Sequence, residues 1–214
     1  WEIGVVGGGG FVPDYPAAGD SHGNGVGTAY VLYRGDFLRI GEKGIVRGRL
    51  ARQRNWELDV SLDGSFPADS DKNKARKGMP DLNWLGEIGP RLQITLARAA
   101  RDAKIDLEIP VRAVVETNFT NFDFRGFVAA PRLAYQHKNF FRRGLEFKLS
   151  VGGNFATTEL ADYFYRVPEG FETAARSRYK ANGGYMGSSL NFGLNRPLTR
   201  RIQLYVLGGV NSHH

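Results

Sequence analysis

Asp20, Ser21 and His22 set an acid, a hydroxyl and an imidazole side by side, the three residue types of a serine-hydrolase triad. Working triads draw nucleophile, base and orienting acid from separate segments, because each must approach the next from a different direction. Three consecutive residues rarely converge in that way, and the other histidines are His137 and the terminal His213 and His214. The triplet reads as a polar loop, and no catalytic residue is assigned. Gly7 to Gly10 has the flexibility of a phosphate cradle, but no Lys-Ser or Lys-Thr follows and no helix begins there. Close packing or bending of a strand accounts for it better. Arg34-Gly35-Asp36 spells an integrin-binding tripeptide and reads as a tight turn, and Asn118-Phe119-Thr120 is a formal glycosylation sequon that reads as loop. The chain has no cysteine, which excludes disulfides and cysteine metal sites. The expectation is a non-enzyme without metal or cofactor.

The elements that must carry these residues are strands. The 214 residues contain 28 glycines and 14 Phe, 9 Tyr and 3 Trp but only 2 Met, a balance that suits many strands joined by turns. No apolar run reaches the about 18 residues of a membrane helix, and mean hydropathy is −0.35. That index is blind to a membrane barrel, in which only every second residue meets lipid. A net charge of +7 raises nucleic acid as a partner, but the cations are scattered over strands and turns with no stripe of interleaved aromatics. Nucleic acid is therefore not expected. The chain opens at Trp1 already in a strand pattern, so any export signal is expected to have been removed.

The clearest segment, Trp56 to Phe66, puts Trp56, Leu58, Val60, Leu62, Gly64 and Phe66 on one face and Glu57, Asp59, Ser61, Asp63 and Ser65 on the other. Only a two-residue period separates those sets. The pattern recurs in Trp84 to Ala97, Ile105 to Thr117, Gly126 to His137 and Leu145 to Ala156, and less cleanly in Asn182 to Leu194 and Ile202 to Asn211. Trp1 to Val12, Gly25 to Tyr33, Phe37 to Gly41 and Ile45 to Arg54 complete eleven candidates. Long gaps (Pro13 to Asn24, Pro67 to Asn83, Asn118 to Arg125, Thr157 to Ala181) alternate with shorter ones (Arg34 to Asp36, Asn55, Arg98 to Lys104, Lys138 to Gly144, Asn195 to Arg201); the tight Glu42 to Gly44 gap is the exception. An outer-membrane barrel has this asymmetry, with short periplasmic turns and long outer loops.

Dimensions agree. The steps from Trp56 to Phe66, at about 3.3 Å each and a tilt near 40°, project to roughly 25 Å, the height of the apolar band. Phe127 with Tyr135, and Phe147 with Phe155, are spaced to sit at its two rims. Pro90, Pro110 and Pro131 fall inside proposed strands, and each is expected to mark a bulge or a strand boundary.

In this register Glu57, Asp59, Asp63, Glu87, Arg91, Asp106, Glu108, Arg112, Glu116, Arg132, Glu146 and Lys148 face inward and line a lumen. They either line a hydrophilic channel or fill the interior with ion pairs, and both readings stand. Leu58, Val60, Leu62, Leu107, Ile109, Val111, Leu149 and Val151 face lipid. Lys72 to Lys77 forms a basic cluster in a long loop, able to meet lipopolysaccharide or simply solvated. Arg98, Arg101 and Lys104, then Lys138, Arg142 and Arg143, then Arg196, Arg200 and Arg201 place cations on three successive short turns. They form a candidate docking surface for a periplasmic partner or for anionic lipid headgroups.

Gly8-Gly9-Gly10-Phe11-Val12-Pro13-Asp14-Tyr15-Pro16, followed a strand later by Tyr33-Arg34-Gly35-Asp36, resembles the opening of the MipA/OmpV family of outer-membrane proteins. The spacing of the later strands and the Thr157 to Ala181 loop with Ala161-Asp162-Tyr163-Phe164 are also similar to that family. The resemblance implies a twelve-stranded transmembrane antiparallel β-barrel and, from the founding member, a scaffold that joins a murein hydrolase to a murein synthase. It carries no catalytic motif. The expectation is thus a single all-β outer-membrane domain over residues 1–214, with the last strand missing from this chain. Its partners would be outer-membrane lipid, lipopolysaccharide and murein-remodelling enzymes. A porin-like passive channel for small hydrophilic solutes is the alternative.

Overall fold

The computed structural model describes residues 2–32, 38–39, 47–141, 144–199 and 202–213. Strands β1 (Glu2–Pro13) and β2 (Ser21–Leu32) form a hairpin. A second, larger sheet contains β3 (Leu38–Arg39), β4 (Arg47–Arg52), β5 (Trp56–Ser65), β6 (Trp84–Ala100), β7 (Ala103–Thr117), β8 (Phe122–Ala129), β9 (Arg132–His137), β10 (Glu146–Ala156), β11 (Gly184–Pro197) and β12 (Gln203–Ser212). Every pairing is antiparallel and the order follows the chain, as short connections between consecutive strands dictate. Strands β8 and β9 are one strand in two pieces. Both pair with β7 and with β10, and the register is the same on either side of the break.

Cross-strand register sorts the side chains into rows. Trp56, Ile94, Leu107, Leu133, Val151, Leu190 and Val210 lie opposite one another across seven strands. One residue over, the row is Glu57, Gln93, Glu108, Arg132, Gly152, Ser189 and Asn211. A slip of one position in any strand would put an apolar residue into the polar row, so the pattern fixes the register. The burial is the inverse of a sheet packed in water. Asp59 and Asp106 are fully buried, whereas Ile88 is 53% and Val151 52% exposed.

The prolines depart from expectation. Pro131 lies in the break between β8 and β9, but Pro90 and Pro110 stay in register opposite Val60 and Arg91. They align across three neighbouring strands, and close backbone approach beside them replaces a bulge: a Cβ on Gly89 would strike the Val111 carbonyl, and one on Gly152 the Pro131 carbonyl. The proline carbonyls still accept ladder bonds, from Ala130 N at 3.2 Å and from Gly153 N at 3.1 Å.

Three connections at one end are long, Asp14 to Asp20, Phe66 to Asn83 and Thr157 to Gly183. The β7–β8 loop is shorter than its sequence suggests, because β8 begins at Phe122. The third long loop contains helix α1 (Thr158–Tyr165), whose Leu160, Ala161 and Phe164 form its buried side. At the other end β6 and β7 are joined by Arg101 and Asp102 alone. Arg98, Lys104 and Arg196, expected in turns, therefore lie in β6, β7 and β11, since backbone pairing continues past the apolar pattern. Among the described residues no helix is long and apolar enough to cross a membrane.

Candidate functional site

The polar face of the sheet is held by ion pairs. Nearest the short turns, Lys104 Nζ lies 2.5 Å from Asp106, whose carboxylate also accepts from Gln93 Nε2 and Thr95 Oγ1, both at 2.8 Å. Arg91 grips Asp59 with two parallel bonds of 2.9 and 2.6 Å, the fork geometry that makes Arg–carboxylate pairs strong. Glu108 accepts from both Arg132 and Lys148 at 2.7 Å. Towards the long loops Arg112 bonds Glu87 at 2.8 Å and reaches Asp63 at 3.3 Å, and Glu116 pairs with Arg125 and accepts from Asn83 Nδ2 at 2.6 Å. The charges assigned inward from sequence thus share one face. Asp63 sits at its exposed end, Glu57 faces Arg52 at 3.9 Å, and Glu146 lies in β10 two residues from Lys148. The apolar residues assigned outward, such as Ile109 and Leu149, alternate with them on the opposite face.

At the long-loop end this face is covered. Leu160 and Phe164 of α1 pack with Ala68, Leu82, Leu85 and Val114, of which Leu85 and Val114 belong to the same face as Glu87 and Arg112. The helix is pinned where it starts. Thr157 Oγ1 accepts from Phe127 N at 3.1 Å, and Thr157 N donates to Phe127 O at 3.0 Å. Residue 126 must be glycine there: its φ is +104°, and a Cβ would strike the Thr157 hydroxyl.

Arg76 joins the three long loops. It is 6% exposed and has no carboxylate partner among the described residues; instead Nε donates to Ser70 Oγ (3.1 Å), Nη1 to Phe164 O (2.8 Å) and Nη2 to Pro80 O (2.9 Å). Its guanidinium lies 5.7 Å from the Tyr15 ring centre. Burial holds its pKa below the ordinary arginine value. Tyr165 Oη donates to Pro16 O at 2.9 Å, and Tyr163 Oη accepts from Asn83 N at 2.9 Å. Burial pushes both phenols up to about 12. The basic cluster of Lys72 to Lys77 therefore divides: Arg76 is a clamp, while Lys72 and Lys74 are exposed.

The Asp20-Ser21-His22 triplet forms no triad. His22 Nδ1 lies 2.6 Å from Asp14 Oδ1, Asp14 accepts from Asn73 Nδ2 at 2.7 Å, and Asp20 accepts from Lys74 N at 2.8 Å. These bonds tie the first long loop to the second. Ala17 N donates to His213 Nε2 at 3.1 Å, bringing the loop of the first hairpin against the end of β12.

At the short-turn end the described residues leave a concavity. A cavity of about 290 Å³ there is lined by residues from β4 through β9, among them six cations (Arg52, Arg54, Arg98, Arg101, Lys104, Lys138) and two acids (Glu57, Asp102). Lys138 N donates to Asp102 O at 2.9 Å and joins neighbouring turns. Of the expected docking residues, Arg98, Arg101, Lys104 and Lys138 meet around this cavity, and Arg196 lies apart near the end of β11. Arg142, Arg143, Arg200 and Arg201 lie outside the described residues, as do Arg34 to Asp36 and Glu42 to Gly44.

The comparison with known families is decisive on kinship, since the MltA-interacting protein MipA family matches residues 5–214. The chain belongs to that family. The match runs from within β1 through β12 and takes in all three long loops, so the covered end and the basic end are both parts of a MipA-type chain. The family is named for an interaction and not for a reaction. No curated protein and no solved structure matches the chain.

Sequence reasoning missed α1 and the buried clamp. Leu160, Ala161 and Phe164 at helical spacing behind Thr157 were the available signal for the helix.

Proposed function

We propose that this protein is a bacterial outer-membrane β-barrel that serves as an interaction scaffold of the cell envelope, with its outer mouth plugged and its periplasmic mouth open. The inverted burial supports the membrane: in water each apolar side chain on the outward row would forgo about 1.5 to 3 kcal/mol of burial, whereas lipid supplies it. The contact between Ala17 and His213 supports ring closure. A twelve-stranded barrel would seat one further strand between β12 and β1, whose outer edges have no partner among the described residues.

The observation that carries the scaffold reading is the covered long-loop end. Helix α1 sits on the interior face under a clamp that draws in three loops, and the ion pairs below it bond across the same face. A porin-like channel needs that path open. The loops left above the plug, with Lys72, Lys74 and Lys77, meet lipopolysaccharide, and the apolar rows meet outer-membrane lipid. The partner then approaches the short turns from the periplasm, where murein-remodelling enzymes work, and electrostatic docking speeds its association and weakens with salt. Capture of a murein hydrolase by the full-length barrel, compared with a variant carrying Arg98→Gln, Arg101→Gln, Lys138→Gln and Arg196→Gln, tests this. Reduced capture with unchanged heat-modifiability supports the scaffold. Unchanged capture contradicts docking through these residues.

A further inference from the structure

The open cavity at the short-turn end differs from every other charged region described. On the interior face above it the buried carboxylates are matched by cations within bonding distance. In the cavity only Lys104 and Arg52 have a carboxylate within 4 Å (Asp106 at 2.5 Å, Glu57 at 3.9 Å), and Arg54, Arg98, Arg101 and Lys138 have none among the described residues. The excess is gathered round a concavity by three successive connections, the β4–β5, β6–β7 and β9–β10 turns, and is not spread along a flat rim.

A second, independent feature belongs to the lining of the same space. Gln136 lines the cavity, is 6% exposed, and its Oε1 is buried with no hydrogen-bond partner. An amide oxygen buried without a partner is destabilising, and it marks Gln136 as a side chain that the chain's own bonds do not satisfy. An amide presents either an acceptor or two donors according to which way it is turned. The Gln136 amide nitrogen is the end of the group not closed off by the interior, and without turning it can donate to an anion among the cations.

We infer that this cavity is a binding site for a small soluble oxyanion carrying more than one negative charge, of the phosphate and diphosphate class. Guanidinium groups bind such oxygens in pairs, and the four cations without a carboxylate call for more than a single charge. A volume of about 290 Å³ is roughly that of ten waters at about 30 Å³ each, which admits a diphosphate with part of its hydration. The ligand is soluble and not a lipid headgroup, because Glu57, Gln93 and Gln136 in the lining belong to the polar face and, of the apolar row that acyl chains would need to follow, only Trp56 reaches the cavity. The inference rests on the proposed scaffold only in taking this end to be the one left free.

Trp56 also lines the cavity and reports on it. Full-length barrel carrying Trp1→Phe and Trp84→Phe, refolded in neutral detergent without phospholipid, is titrated with inorganic pyrophosphate at constant ionic strength while Trp56 fluorescence is read. A saturable change at one site is expected. Arg98→Gln with Arg101→Gln should weaken the affinity about tenfold or more. Gln136→Leu, which alters no charge, should weaken it severalfold, and Lys74→Gln with Lys77→Gln at the opposite end should leave it unchanged. Three outcomes would overturn the inference: no saturation; equal affinity in Gln136→Leu, which would mean charge screening without a built site; or binding that needs anionic phospholipid in the micelle, which would make the ligand a headgroup. Isothermal titration of the same variants guards against a fluorescence change without binding. Hydrolase capture that persists when pyrophosphate binding is absent would remove this inference alone and leave the scaffold reading intact.

Discussion

Arg76 and Arg101 are the same residue type at opposite ends of the molecule, and their surroundings differ in almost every respect. Arg76 is buried among three loops and spends its donors on two carbonyls and a hydroxyl. Arg101 stands exposed in a two-residue turn on the rim of an open cavity. The long-loop end has its own hydrophobic cluster, whereas the short-turn end is built from strand ends and charge. On the proposed reading one end stays shut and the other meets a partner, so a cation's role is set by what the topology folds over it and not by the density of basic residues in sequence.

The largest expected effect lies in the cap. Phe164→Ala removes a buried ring from the cluster, a loss of about 3 to 5 kcal/mol for a core aromatic. Limited proteolysis should then cut within 157–183 while the sheet keeps its heat-modifiability. Loss of the whole fold would show that the cap and the sheet are a single cooperative unit.

Next comes the contrast of the arginines. Arg76→Met leaves the Phe164 carbonyl unpaired, while Pro80 O keeps its bond from Ser70 Oγ at 2.8 Å, and should destabilise the cap by about 1 to 3 kcal/mol. Arg76→Lys should rescue little, because a point charge cannot span three acceptors. Arg101→Gln should alter stability by no more than about 0.5 kcal/mol. Urea unfolding of the three variants checks the ranking, and equal effects at positions 76 and 101 would erase the distinction between the ends.

Strands β5, β7 and β10 were legible because two environments act on alternate residues, and that leaves a period of two in the sequence. The charged face was legible for the same reason, down to Asp59, Glu108 and Arg112. Segment ends were not. Strand β2 begins at Ser21, four residues before the expected start at Gly25, because His22, Gly23 and Asn24 pair through the backbone without any apolar alternation. Helix α1 was absorbed into a loop because eight residues with Glu159 and Asp162 among them make a weak pattern. The burial of Arg76 depends on contacts with residues about 60 and 90 positions away, which no local pattern records.

The smallest expected effect is on pH. Tyr163 and Tyr165 have folded pKa values raised to about 12 from an ordinary value of about 10. The unfolded cap therefore gives up these protons first. Their contribution is fully present below about pH 10 and is lost as pH rises towards 12. Protease sensitivity of residues 157–183 should increase across that window in wild type and less so in Tyr165→Phe. An unchanged profile in the variant would place the alkaline transition elsewhere.

The central claim, that the long-loop end is shut by α1, is tested most directly by single-channel recording in planar bilayers. Wild-type protein is expected to show no ohmic steps, and Leu160→Asp with Phe164→Asp, which drives the helix off the interior face, is expected to produce them. Steady ohmic conductance from wild type, unchanged in the double variant, would contradict the account and make the barrel a channel.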